Sequence, residues 1–199
     1  SVRVKTPQQL REEFEQDGLV SMEGFLTESE IVEVRENLQR FVKDIVPTMP
    51  ESEVYCETAG DLSTLKQLQK MGDRDPWFGE LITGKDSKFL ALAEVLLGES
   101  VRAVNLQYFN KPAGIGQPTP PHQDGFYFHL KPSRAITMWL ALEEVTPEQG
   151  CVNYVRGSNR YGMRWHGRTE TLGFSQGIMD FGAPNDLENA EKFPCQAGH

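Results

Sequence analysis

Apolar positions recur at helical spacing through the first hundred residues and then give way to short β-rich runs. Thr6 can cap a helix that starts at Pro7, a residue suited to the first helical position. Leu10 and Phe14 follow one turn apart, and Gly18 is a natural stop. Leu19 to Met22 reads as a short strand. Thr27 and Glu30 form a capping box that opens a second helix. On it Ile31, Val34, Leu38, Phe41 and Ile45 share one face, with Glu33, Arg35, Glu36 and Arg40 outside it. That helix is expected to cover one side of a sheet, and Pro47 and Pro50 end it. Val54 to Cys56 is ambiguous and admits a strand. Leu62 to Met71 reads as helical, with Leu65, Leu68 and Met71 spaced to pack. Asp86 to Leu97 is a helix with Phe89, Leu92, Ala93 and Leu96 on one face and Gly98 as its stop.

The second half reads differently. Val101 to Phe109 is a strand, followed by a Pro- and Gly-rich loop from Lys111 to Pro121. Ala135 to Leu142 is a second β-rich run, and Cys151 to Val155 a third after the turn Thr146 to Gly150. Helices first and short strands afterwards predict an α+β protein, mainly β with flanking helices, its core a sandwich or barrel. From Tyr161 to Glu191 strand signals are few, and a loop of that length is functional or disordered.

One short stretch, Pro121-His122-Gln123-Asp124-Gly125, carries the candidate chemistry. On an extended strand His122 and Asp124 would point to one face, so an imidazole and a carboxylate would converge. A third ligand, usually a second His, would complete the 2-His-1-carboxylate triad that suits non-haem Fe(II) and leaves open positions. Two-residue spacing alone is a weak signal, because a surface His and Asp in a turn after Pro120-Pro121 give the same pattern. The β-rich runs on both sides strengthen it, since the mouth of a barrel is a common site for chemistry.

Composition sets outer limits. The 199 residues fit one domain, and 38% apolar content with eleven Phe suffices for a core. A net charge of −9 argues against a nucleic-acid surface or an anionic membrane as partner. Arg156, Arg160, Arg164 and Arg168 read as a solvated loop or a clamp for an anionic substrate. No signal-peptide pattern opens the chain, and no apolar run approaches the ~20 residues of a membrane span. Cys56, Cys151 and Cys195 are scattered and lack metal spacing, which predicts free thiols in a reducing, cytoplasmic compartment.

His122-Gln123-Asp124, followed by Tyr127-Phe128, Lys131-Pro132-Ser133, Trp139, Glu143, Gly150-Cys151 and Gly157-Ser158, resembles the phytanoyl-CoA dioxygenase family of Fe(II)/2-oxoglutarate oxygenases. The resemblance runs from about Leu10 to about Asn159. It implies a double-stranded β-helix (jelly-roll, cupin-like) core in a single oxygenase domain over 1–199. Residues 1–98 would be a helical flank, 99–160 core strands with the metal motif, and 161–199 an insertion and the run into late strands. It implies Fe(II), O2 and 2-oxoglutarate, a small organic substrate that is hydroxylated, and release of succinate and CO2. His122 and Asp124 become metal ligands and catalytic residues. Gln107, Trp139, Asn105, Gln123 and Lys66 become neighbours of the co-substrate. Retention of Asp124 points to hydroxylation, because halogenating relatives lack that carboxylate. The insertion would lie over the active-site mouth, with Trp165, His166, Phe174 and Met179 available to line it.

The pattern breaks near the end. Phe193 to His199 resembles the run into the turn that precedes the family's second iron His and its 2-oxoglutarate Arg, and neither residue follows before His199. The favoured expectation is a longer chain, with those residues and the last strands beyond His199. A terminal artefact at His199, or a third ligand supplied by His199 or His166, would also account for the break. Arg156 and Asn159, where the family has Pro and His, keep a non-catalytic carboxylate-binding module in view. A cupin-like enzyme using Mn or Zn without 2-oxoglutarate is the third possibility.

Overall fold

The computed structural model describes residues 4–199. Helix α1 (Pro7–Asp17) begins at Thr6, whose hydroxyl takes the Gln9 N–H while the Gln9 side chain reaches back to the Thr6 N–H. Helix α2 (Glu28–Arg40) opens with the Thr27–Glu30 capping box and widens into a π-turn at Phe41–Ile45. Its apolar face buries Ile31, Val34 and Phe41 as the periodicity predicts. Strand β1 (Val54–Cys56) and strand β2 (Leu65–Leu68) follow, then helix α3 (Met71–Arg74), helix α4 (Pro76–Thr83) and helix α5 (Lys88–Leu97). Strand β3 (Tyr108–Phe109) completes an antiparallel sheet in the order β1-β2-β3.

Leu62 to Met71 is therefore not a helix. Its middle is the central strand of that sheet, with all four residues of β2 buried. A strand covered on both faces shows no alternation, and the three-residue spacing of Leu65, Leu68 and Met71 imitates a helix. Leu65, Leu68 and Met71 join Phe41, Val46 and Phe78 in the main core. There Phe41 and Phe78 meet edge to face at 5.6 Å.

The arrangement is a mixture of helices and three small antiparallel sheets rather than a mainly β body. After the short helix α6 (Gly125–Phe128) come strands β4 (Val152–Val155), β5 (His166–Arg168) and β6 (Gln176–Ile178). Helix α7 (Pro184–Glu188) and strand β7 (Ala190–Phe193) follow. β4 pairs with β7 and β5 with β6. Three expected strands are not ladders. Leu19 to Met22 has no strand partner among the described residues, although Leu19 is buried. Val101 to Gln107 forms no ladder among the described residues; the Leu106 carbonyl instead accepts the Met71 N–H at the start of α3. Ala135 to Leu142 bonds to the C-terminal run at one point, through Ala141 to His199 and Gly198. Residues 161–191, expected to be loop, contain β5, β6, α7 and the start of β7.

Ion pairs tie the elements together. Arg156 joins Asp17 of α1 to Glu191 of β7 at 2.7 and 2.6 Å, and Arg164 joins Asp186 and Asp180 at 2.6 and 3.0 Å. These two arginines are structural partners, not a free anion clamp. Buried Asp75 caps α4 through the Phe78 N–H and receives both arms of Arg40 from α2, at 2.8 and 2.7 Å. Arg40 holds the Asp75 carboxyl below the usual carboxylate range. The folded state therefore binds this proton more weakly than the unfolded chain. The stabilisation is present above the unfolded pKa and is lost as pH falls through the lowered one. Asp75→Ala is expected to destabilise the protein by about 2–3 kcal/mol, from the lost cap and the charge-assisted bonds. Urea melts near neutrality and at about pH 3 check this, with the gap to wild type narrowing in acid.

Among the described residues all three cysteines are free, and no helix is long and apolar enough to cross a membrane.

Candidate functional site

His122 and Asp124 do converge, but not by strand alternation. The residues before Asp124 are irregular, and Asp124 itself is helical (φ −58°, ψ −35°) at the start of α6. The turn swings the carboxylate back to the imidazole, placing His122 Nε2 3.0 Å from Asp124 Oδ1. His122 Nδ1 donates to the Pro120 carbonyl at 2.8 Å, which fixes the ring's orientation. Burial alone would lower the His122 pKa. The Asp124 hydrogen bond, the Pro120 carbonyl and the Asp124 charge outweigh burial and raise it. The His122 hydrogen bond likewise holds the Asp124 carboxyl low against its burial, helped by the Thr137 hydroxyl. This donor set, one oriented imidazole and one anionic carboxylate, fits a divalent metal.

The segment expected as a lid is fastened to this motif. His166 opens β5 and is 5% exposed. Its Nε2 accepts the Gln123 backbone N–H at 3.0 Å, and its Nδ1 bonds to the Arg164 carbonyl at 2.9 Å. The ring stacks on Phe126 at 4.3 Å, nearly parallel. The Gln123 amide donates to the Gly162 carbonyl and accepts the Arg164 N–H, at 3.0 and 2.7 Å. From β6, the Ile178 N–H reaches the Pro121 carbonyl at 2.8 Å, and the Gln176 carbonyl accepts the Tyr127 hydroxyl. Gly177 suits this approach, because a Cβ there would crowd the Pro121 carbonyl, Thr169 and Pro120. The hairpin tip brings Phe174 onto His122 at 5.0 Å and onto Phe109 at 6.0 Å.

The expected co-substrate residues are spread more widely. The β1–β2 register skips Lys66, passing from Tyr55↔Gln67 to Cys56↔Leu65, and such a bulge re-aims a side chain. Lys66 is 3% exposed, with Glu57 at 3.5 Å. That distance pairs the charges, yet neither Lys66 Nζ nor Glu57 Oε1 makes a hydrogen bond among the described residues. Gln67 donates to Gln107 at 2.9 Å and leaves its own Oε1 buried without a partner, against Gly173 of the hairpin tip. Gln107 thus lies near the hairpin. Asn105 lies elsewhere: its Oδ1 accepts the Lys70 N–H at 3.0 Å, beside a separate cavity of about 270 Å³. Trp139 is 39% exposed. Gln123 is part of the wall rather than free to reach a ligand. His199 pairs with Ser21 at 2.6 Å, and both His166 nitrogens are bonded to backbone, so neither is turned to the motif as a third ligand.

Sequence reasoning missed Gln67, Thr137 and Tyr154. Gln67 was hidden in the supposed helix. Thr137 stands two residues before Trp139, so alternation along an extended run would have marked it. The Tyr154 phenol is pushed up to about 12, by desolvation first and then by the Asp124 charge, although 39% of the residue is open to solvent.

The fold has a solved counterpart. The solved structure of the epimerase SnoN, in complex with Fe3+, alpha ketoglutarate and nogalamycin RO, is similar with a TM-score of 0.66. The likeness covers 96% of this chain and 71% of that one at 22% identity. The chain belongs to the phytanoyl-CoA dioxygenase (PhyH) family, whose model matches residues 14–198. That extends the kinship through the hairpin and β7. Phytanoyl-CoA dioxygenase domain-containing protein 1 of Bos taurus is 26% identical, with 79% of this chain and 67% of that protein covered. Phytanoyl-CoA dioxygenase of Arabidopsis thaliana is 27% identical over 79% of this chain and 66% of its own length. The chain thus spans about two thirds of these relatives.

Proposed function

We propose that this chain is the Fe(II)- and 2-oxoglutarate-binding domain of a dioxygenase that hydroxylates a small organic substrate, releasing succinate and CO2. Family membership supports the reading, and one geometric observation carries it. His122 Nε2 and Asp124 Oδ1 lie 3.0 Å apart on a ring already oriented by Pro120. We read the three small sheets as parts of a double-stranded β-helix, by analogy with the iron- and keto-acid-bound neighbour. An acidic surface fits a small-molecule partner rather than nucleic acid, and free thiols fit a reducing cytoplasm.

His122 and Asp124 would hold the ferrous ion. When bound, iron couples oxidative decarboxylation of 2-oxoglutarate to placing one atom of O2 in a substrate C–H bond. Pro120 keeps the His122 ring turned so that Nε2 serves the metal, and Thr137 steadies the carboxylate. Lys66 Nζ is assigned to a co-substrate carboxylate, with Gln107 and Trp139 beside it. Gln67 is added for its unpartnered oxygen, an acceptor that suits a water beside the bound acid. Phe109 and Phe174 keep water from one side of His122.

Full-length protein with added Fe(II) and 2-oxoglutarate is expected to form succinate, read by mass spectrometry. No turnover at any iron loading, coupled or uncoupled, overturns the assignment. A second reading, a carboxylate-binding module, has one observation in its favour. Lys66 Nζ is buried without a hydrogen bond among the described residues, which suits a carboxylate ligand with or without iron. A 2-oxoglutarate titration that gives the Fe(II)–keto-acid absorption band supports the enzyme. Binding that is indifferent to iron supports the module.

A further inference from the structure

We propose that His166 is a positioning residue that sets the geometry of the His122–Asp124 pair through the backbone between them. The inference rests on the metal-binding reading of that pair. Gln123 is the middle residue of the motif, so the orientation of its peptide governs where the flanking side chains point. Its N–H is held by His166 Nε2 at 3.0 Å. An N–H only donates, so Nε2 must carry the lone pair, and the ring proton sits on Nδ1, donating to the Arg164 carbonyl at 2.9 Å. Both ring nitrogens therefore have assigned roles, and the ring plane is set by Phe126, the second residue of α6. The imidazole touches the chain on both sides of Asp124: the Gln123 peptide before it and the Phe126 ring after it. A solvated histidine has no such arrangement, and this one is buried. Where the pair is not held in advance, a metal must order the turn as it binds, and affinity falls.

Two variants separate the hydrogen bond from the packing. His166→Phe keeps a flat ring over Phe126 and loses the acceptor. His166→Gln loses the ring and returns an oxygen acceptor toward Gln123. In wild-type protein, anaerobic Fe(II) titration is expected to show binding that weakens about tenfold or more in His166→Phe, as for other residues that orient metal ligands. His166→Gln is expected to recover most of it, whatever its melting temperature. In the metal-free proteins the Gln123 amide is expected to exchange with solvent roughly tenfold faster in His166→Phe than in wild type. Nitrogen NMR of metal-free wild type is expected to find His166 protonated on Nδ1. Affinity that follows melting temperature instead of the acceptor, an unchanged Gln123 exchange rate, or a proton on Nε2 overturns the positioning role. Wild-type protein that binds no Fe(II) overturns the underlying metal reading instead.

Discussion

Asp124→Ala is expected to lower iron-dependent succinate formation about a thousandfold while leaving the fold standing. The magnitude follows from losing one of two assigned protein ligands. Metal activation contributes several kcal/mol to such a reaction, and each ~1.4 kcal/mol is tenfold in rate. The fold survives because no backbone group relies on the Asp124 carboxylate: among the described residues its side-chain partners are His122 and Thr137, and its own carbonyl still accepts the Tyr127 N–H in the variant. The variant carries an internal check that needs no metal. Asp124 is the main reason the His122 pKa stands above its ordinary value against the opposing effect of burial. Removing it is expected to bring the His122 titration down, in an NMR titration of metal-free protein. A variant with full turnover, or a His122 titration that does not move, would mean that the two groups do not form a working pair.

Lys66→Met is expected to raise the KM for 2-oxoglutarate up to about a hundredfold, with a much smaller change in kcat. Methionine matches the length of lysine without its charge. Bonds from a buried ammonium to a carboxylate are worth about 1.5–3 kcal/mol, which sets the upper bound. Burying an ammonium with no hydrogen bond is unfavourable for the fold, and Glu57 at 3.5 Å offsets that only in part. Such a residue makes sense where an anionic ligand supplies the missing acceptors. Steady-state kinetics with varied 2-oxoglutarate read the split. A KM that stays put would remove Lys66 from the co-substrate site. Glu57→Gln added to Lys66→Met serves as the stability control, since it leaves no charge of the pair buried alone.

The helices over 7–17, 28–40 and 88–97 were legible because their signals are local. Thr6, Thr27 and the glycines at 18 and 98 act within one turn of themselves, and the apolar stripes repeat at short range. β2 was not legible, because burial on both faces erases the alternation that marks a strand. The hairpin of β5 and β6 was hidden for another reason. His166-Gly167-Arg168 and Gln176-Gly177-Ile178 carry no apolar pattern, and they are held in place by the motif they support. The resemblance named the family that the chain belongs to but treated this hairpin as a cover. In the structure it is a wall.

The sequence by itself determined the three long helices, the residue types able to bind a metal, and the family, since each lies in local pattern or in residue order. Tertiary structure alone decided that His122 and Asp124 meet through a helical turn, that Lys66 is buried on a bulge, and that His166 grips the Gln123 amide. Those outcomes depend on a local helical turn, on the β1–β2 pairing, and on contacts between distant segments, such as His166 with Gln123 and Gln67 with Gln107. No spacing along the chain encodes such meetings; they form only where folding brings a donor within reach of an acceptor and burial makes an unmade bond costly.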